Sequence, residues 1–292
     1  MKRTKVVRNI LIALIGLLSV AQYSQAQMLV PHRAKINKPE TAIFKAPSVI
    51  LMPSVKNLYA KTLNMSIYHT FGIVRAGVRQ FWGLDSGANV RLGLDYGITN
   101  NLSVGIGRTS ISKVVDGRFK YSLLHQMSES GSPIELAVNG DLGINTGQRI
   151  FQGSYGFNDR LGYSFMLMGA RKFNDQLSLQ VAPMITHYNR VNVGKKTYYG
   201  IGLSGRYKIT GHTALALEYV PVFNKTNSMQ NELSIAFNIE TGGHVFQLFF
   251  TNAQSFNPQG ILSQTHNKFM KGYFRFGFNI NRIFWFTNKH NK

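Results

Sequence analysis

An all-β fold, a single antiparallel up-and-down β-barrel of about twelve strands preceded by an extended arm, is what this sequence predicts. Three observations predict it. From Leu63 onward, segments of about ten residues alternate apolar and polar side chains, the period of a strand with two unlike faces. The gaps between them alternate in length: the long ones fall at 70–86, 109–117, 145–159, 188–198, 222–231 and 252–268, the short ones at 99–101, 128–133, 173–176, 210–212 and 240–243. The short gaps repeat one turn chemistry. A closed barrel with tight turns at one end and loops at the other, crossing a membrane, has this pattern.

The elements can be justified in order. Lys2, Arg3, Lys5 and Arg8 precede an apolar run from Ile10 to Val20, and Ser24-Gln25-Ala26 offers small residues before Gln27. Residues 1–26 therefore read as a secretory signal peptide, since the run falls well short of the ~20 residues a spanning helix needs. No cysteine occurs, which excludes disulfides, thiolate chemistry and a lipoprotein anchor. Residues 27–61 are the one region without alternation; Pro31, Pro39, Pro47 and Pro53, with Lys35, Lys38 and Lys45, describe an extended arm, lying in the periplasm or folded into the lumen. Residues 62–286 form the barrel, and 287–292 a short tail.

In the barrel one parity is apolar. Ala88, Val90, Leu92, Leu94, Tyr96 and Ile98 oppose Asn89, Arg91, Gly93, Asp95 and Gly97. Ile134, Leu136, Val138 and Leu142 oppose Glu135, Asn139 and Asp141; Leu161, Tyr163, Phe165 and Leu167 oppose Arg160, Gly162 and Ser164. Tyr199, Ile201, Leu203 and Tyr207 oppose Ser204, Arg206 and Lys208, and Leu233, Ile235, Phe237 and Ile239 oppose Glu232, Ser234, Asn238 and Glu240. A last aromatic strand runs from Tyr273 to about Phe286.

The turns agree. Tyr96-Gly97-Ile98-Thr99-Asn100-Asn101-Leu102 parallels Lys172-Phe173-Asn174-Asp175-Gln176-Leu177, and Tyr207-Lys208-Ile209-Thr210-Gly211-His212-Thr213 is a looser copy. Each closes a strand with an aromatic residue and turns on polar residues. A soluble lipocalin-like carrier also alternates, but its apolar face lines the interior. The aromatic apolar face, the small-residue opposite face and the regular gap lengths favour the membrane version, with outer-membrane lipid as a partner and both termini in the periplasm. A net charge of +21 suits anionic head groups or solutes, and export makes nucleic acid an unsuitable partner.

Chemistry is sparse. The eight histidines form no H-E-x-x-H and no metal-ligand spacing, so no metal and no cofactor is expected. A lipid-modifying barrel enzyme is the alternative class, but no His-x-Ser pair stands on one strand face: His125 is followed by Gln126, Met127 and Ser128, and His187 by Tyr188 and Asn189. Gly105-Ile106-Gly107 and Gly200-Ile201-Gly202 lack phosphate-loop spacing and read as room for close packing. Parity sends Arg91, Arg118, Lys120, Arg160, Arg206, Lys208 and Arg275 into the lumen with Asp95, Glu135, Asp141, Glu218, Glu232 and Glu240. Such charges pair across a narrow lumen, or they line a small, weakly anion-preferring passage.

Phe81-Trp82-Gly83-Leu84-Asp85-Ser86-Gly87-Ala88-Asn89-Val90-Arg91, Glu240-Thr241-Gly242-Gly243-His244-Val245-Phe246-Gln247 and Phe276-Gly277-Phe278-Asn279-Ile280-Asn281-Arg282 together resemble an uncharacterised β-barrel family of Bacteroidota-type bacteria, domain of unknown function 5777. The resemblance spans roughly 45–286 and implies an outer-membrane barrel, without a mechanism. Within it, Glu240 to His244 is richer than a turn requires; it is a plain Gly-Gly turn, or a docking point for a periplasmic partner or for residues 27–61. The functional expectation is a narrow or plugged channel for small solutes, or a structural or adaptor barrel.

Overall fold

A computed structural model describes residues 37–147 and 154–286. The expected signal peptide, the arm's first residues and the 287–292 tail lie outside those residues.

Twelve strands form one closed antiparallel barrel in which every strand pairs with its chain neighbours and the first pairs with the last. They are β1 (Thr62–Ile73), β2 (Asn89–Gly97), β3 (Leu102–Thr109), β4 (Val114–Leu124), β5 (Glu135–Asn145), β6 (Leu161–Lys172), β7 (Leu177–Tyr188), β8 (Thr197–Lys208), β9 (Thr213–Val220), β10 (Glu232–Glu240), β11 (His244–Thr251) and β12 (Arg275–Trp285). Closure runs from Leu63 opposite Phe284 to Thr70 opposite Gly277. It leaves no unpaired edge, which a strand structure in hydrocarbon requires. Among the described residues no helix is long and apolar enough to cross a membrane, which leaves a crossing by strands open.

The side-chain parity decides which face meets lipid. Along β2, Asn89, Arg91, Gly93, Asp95 and Gly97 are buried while Leu92 and Leu94 are about half exposed. Ile106, Phe165, Leu217 and Phe250 are likewise exposed, whereas Asn64, Ser66, Gln180, Ser234, Gln247 and Asn279 are buried. Apolar outside and polar inside is the reverse of a soluble carrier and matches a membrane barrel.

The short connections lie at one end, which we call the turn end, together with the start of β1 and the end of β12. Three of these turns share one device. Thr99 Oγ1 accepts from the backbone N–H of Leu102 (2.9 Å), Asn174 Oδ1 from that of Leu177 (2.8 Å), and Thr210 Oγ1 from that of Thr213 (3.1 Å). The side chain replaces a backbone acceptor, which is why these positions carry Thr or Asn. At the opposite, loop end, one connection departs from the expected 109–117 gap. β4 starts at Val114, so the chain crosses in four residues, with Ser112 and Lys113 both in the left-handed region.

The interior is filled by two segments that are not wall strands. Between Ile43 and Leu58 the arm is largely buried, Ile50 completely. From the loop end, the β11–β12 connection sends in a short helix, α1 (Pro258–Gln264), whose Ile261 and Leu262 are fully buried. Asn257 caps it by accepting from Gly260 N–H at 3.0 Å, and Pro258 occupies the first turn, where its missing N–H costs nothing.

Candidate functional site

The site is the lumen and what fills it. Its wall carries charged and amide side chains. Arg91 pairs with Asp116, both nearly inaccessible to solvent. Arg118 grips Asp95 with two bonds of 2.5 and 2.7 Å, and Arg206 holds Glu240 through both carboxylate oxygens. These forked pairs satisfy buried charges that would otherwise be prohibitive. Glycines make room for them: a Cβ at Gly107 would occupy the space of the Arg91 guanidinium, and one at Gly105 that of the Asp95 carboxylate. On β6 to β10, alongside Gln180, Arg206, Glu218 and Glu232, the lumen wall also carries apolar or small residues, Met166, Met168, Ala170, Ala182, Met184, Ala216 and Ala236. The apolar side chains of the arm and α1, including Ile50, Leu51, Met52, Val55, Ile261 and Leu262, join them in one core.

The arm is tied to polar side chains of the wall through its backbone. Lys120 Nζ donates to the carbonyl oxygens of Pro47 (2.8 Å), Ser54 (2.7 Å) and Lys56 (3.0 Å), which uses all three of its protons. The Glu218 carboxylate accepts from the N–H groups of Ile50, Leu51 and Met52 at 3.1–3.2 Å, capping a tight turn whose own bond runs from Val49 N–H to Met52 O. Gln180 takes both ends of one peptide stretch, accepting from Val55 N–H and donating to Pro53 O. Gln247 donates to Val49 O at 2.6 Å and Asn279 to Ile50 O at 2.8 Å. Tyr68 joins the two fillers: its hydroxyl donates to Ser48 Oγ at 3.0 Å and its ring lies 5.7 Å from that of Phe256, just before α1.

At the turn end Glu40 and Lys56 of the arm are half-buried, and Lys38 and Lys45 are exposed. Burial, with Lys45 adding repulsion, holds the Lys56 ammonium below the ordinary lysine value. A cavity of about 320 Å³ lies beside it, lined by Ile43, Phe44, Glu40, Lys56, His125 and Glu135 among others. In the exposed β6–β7 turn, the hydrogen bond and charge of Lys172 hold Asp175 below the usual carboxylate range.

The inward-parity residues divide into two groups. Arg91, Asp95, Lys120, Glu135, Asp141, Arg206, Glu218, Glu232, Glu240 and Arg275 are buried in the interior, and Arg118 is nearly so. Asp141 accepts from Asn139 and Ser164, Glu135 binds His125, and Arg275 donates to Phe71 O. Two residues belong elsewhere. Arg160 sits in a 3-10 turn before β6, not on the strand, and its guanidinium donates to Asn145 O at 3.1 Å. Lys208 closes β8 at the turn end and is only half-buried. Arg160 precedes the first ladder pair of β6, and Lys208 is the last paired residue of β8.

Asp116, Gln180, Gln247 and Asn279 also face the interior. The alternation marks Gln180 and Asn279 as inward, whereas Asp116 falls in the expected 109–117 gap and joins the wall only because β4 starts at Val114. Among the described residues the buried lumen charges are Arg91, Lys120, Arg206 and Arg275 against Asp95, Asp116, Glu135, Asp141, Glu218, Glu232 and Glu240, with Arg118 nearly buried, so carboxyl groups outnumber cations there. At the Glu240–His244 turn, Thr241 N–H donates to His244 O, the ordinary closure of such a turn. Glu240 is committed to Arg206, while His244 stacks on Phe246 and borders a groove of about 260 Å³ shared with arm residues 41–47 and 56–59. His125 binds Glu135 and Asn101, and His187 binds Thr197.

The profile of the membrane bound beta barrel domain family (DUF5777) matches residues 44–284, and the chain belongs to that family. No curated protein sequence matches. Among solved structures, the KdgM porin is similar over 76% of this chain and 98% of its own, at 10% identity and a TM-score of 0.47. The NanC porin covers 77% and 100% at 7% identity and 0.48, and the COG4313 outer membrane channel from Pseudomonas putida F1 covers 78% and 97% at 14% and 0.47.

Proposed function

We propose that this membrane-bound barrel is an outer-membrane channel for small polar solutes, held shut by its own arm, with the turn end and both termini in the periplasm. One observation carries the reading: the lumen is closed by separate segments of chain and not by the side chains of its wall. Twelve strands enclose more width than wall side chains fill; eight-stranded barrels are the size at which side chains alone suffice. Here the inward residues facing the filler are small or flexible, Ala182, Ala216, Ala236 and Met184 among them. No strand ladder fixes residues 41–58 to the wall; side chains of the wall hold them by hydrogen bonds and apolar contact. With the arm withdrawn, the ion pairs and amides of β1–β4 and β10–β12 remain as a wettable passage.

The test is conductance in planar bilayers, comparing the full chain with a chain lacking 38–58 and keeping its leader. We expect the full chain to be closed for most of the record and the shortened chain to conduct steadily, without anion preference in its reversal potential. A shortened chain that keeps its heat-dependent gel mobility, and so remains a closed barrel, yet passes no current would instead make this a structural barrel.

A further inference from the structure

The outer surface carries a feature that the lumen does not use. Where β11, β12 and β1 meet, the lipid-facing positions bear rings in an unbroken series. His69 lies 4.4 Å from Phe71, Phe71 is stacked 5.9 Å from Phe276, Phe276 is 5.6 Å from Phe250, Phe250 is 5.5 Å from Phe274, and Phe274 is 5.0 Å from Phe269. The intervening Thr70, Thr251 and Arg275 face the lumen, so the rings belong to the outside. The series climbs from the middle of the barrel wall to the loop end.

At its top stands a cationic rim. Val74 N–H donates to Phe274 O at 2.9 Å and Arg75 Nη1 to Lys271 O at 2.8 Å, which ties the β1–β2 connection to the segment before β12. The Arg75 guanidinium lies over the Tyr273 ring at 4.6 Å. Arg75, Arg79, Lys268 and Lys271 are all exposed, and Asp85 is the one carboxylate in 74–88 and 268–274. Exposed apolar side chains stand among the cations: Val78 at 72%, Trp82 at 51% and Met270 at 88%. Trp82 and its neighbour Phe81 both hold left-handed backbone conformations.

We propose that this seam is a seat for a phosphate-bearing lipid of the leaflet at the loop end. Its acyl chain lies along the ring series, and its phosphate meets Arg79, Lys268 and Lys271. Rings give flat apolar contact without a cavity, and cations at the head-group level supply the selection for negative charge. A second copy of the chain does not suit the same surface, because a two-fold contact would set the same four cations against each other. The seat depends on the barrel lying in a membrane and not on whether its lumen conducts.

The chain has two tryptophans, so Trp285→Phe leaves Trp82 as a reporter at the rim. The full chain carrying that change is placed in phosphatidylcholine nanodiscs containing either brominated phosphatidic acid or brominated phosphatidylcholine at equal mole fraction, and quenching of Trp82 is compared. We expect association with the brominated phosphatidic acid to exceed that with brominated phosphatidylcholine by about fivefold or more, the preference one well-placed cation supplies. Arg79→Gln/Lys268→Gln/Lys271→Gln should bring the ratio near one, with the heat-dependent gel shift retained; Arg75 is left in place because it ties the two segments together. Equal quenching by both lipids would overturn the seat, as would a preference that survives the triple change. Cross-linked pairs of chains joined through this face, without lipid preference, would assign it to self-association.

Discussion

Lys120 shows how much a single inward residue controls. Its ammonium is buried, and its three protons are spent on three carbonyl oxygens of the arm. Lys120→Met removes the donor and leaves three buried acceptors without it, while the pairs Arg91–Asp116 and Arg206–Glu240 keep the wall intact. Weakening of the arm by about 2 kcal/mol follows from the cost of unmade buried bonds to a charged group, or about thirtyfold more opening. Single-channel open probability measures it; an open probability unchanged from the parent chain would show that Lys120 does not hold the arm. At this scale the sequence was legible where a residue lies inside a ladder, as for Arg91, Lys120 and Glu218. It was not legible for Arg160 and Lys208, which lie at strand ends where the alternation stops. Nor could parity say whom a residue binds, since Glu218 faces backbone N–H groups brought from residues 50–52.

At the scale of elements, the strands were readable because lipid and lumen impose opposite demands on successive residues. The β6 segment Phe165-Met166-Leu167-Met168-Gly169-Ala170 is the instructive exception. Both of its faces are apolar, because its inward face meets the apolar side of the filler and not water. The arm had its own signal: Val49-Ile50-Leu51-Met52, between Pro47 and Pro53, is too apolar for solvent, and it is the stretch that Glu218 caps. Alternation could not choose between lumen and periplasm for it, since that choice rests on partners in distant strands. Helix α1 carried an Asn-Pro start, but its seven residues sit in a loop and show no helical period of useful length. Asn257→Ala should cost α1 about 1 kcal/mol, the usual loss for a missing cap. Amide exchange across 257–264 is expected to quicken about fivefold while the strands are unchanged; equal protection before and after would mean that packing alone holds the helix.

The whole molecule is a wall and two fillers, with different physics in each. The wall is closed by backbone bonds that lipid cannot replace, so it persists whatever the interior does. The fillers are held by side-chain bonds, which water can replace when the arm leaves, and by apolar contact with a wall of small residues, whose exposure to water is the cost of opening. Closure of the ladder and the turn end were foreseeable from alternation and gap length, and the outward apolar face from its aromatic residues set against small ones opposite. The fit of the arm against the Met and Ala wall was not, because it requires residues more than a hundred positions apart to share one surface, as Val55 and Gln180 do. The chain has no cysteine, so a thiol introduced as Ala216→Cys, at a wall position 3% exposed behind the arm, is a unique probe of closure. Its reaction with a water-soluble methanethiosulfonate reagent in proteoliposomes is the decisive measurement. The expected result is slow labelling in the full chain, fast labelling when 38–58 is removed, and an intermediate rate with Lys120→Met. Labelling at one rate in all three chains would contradict closure of the lumen by the arm.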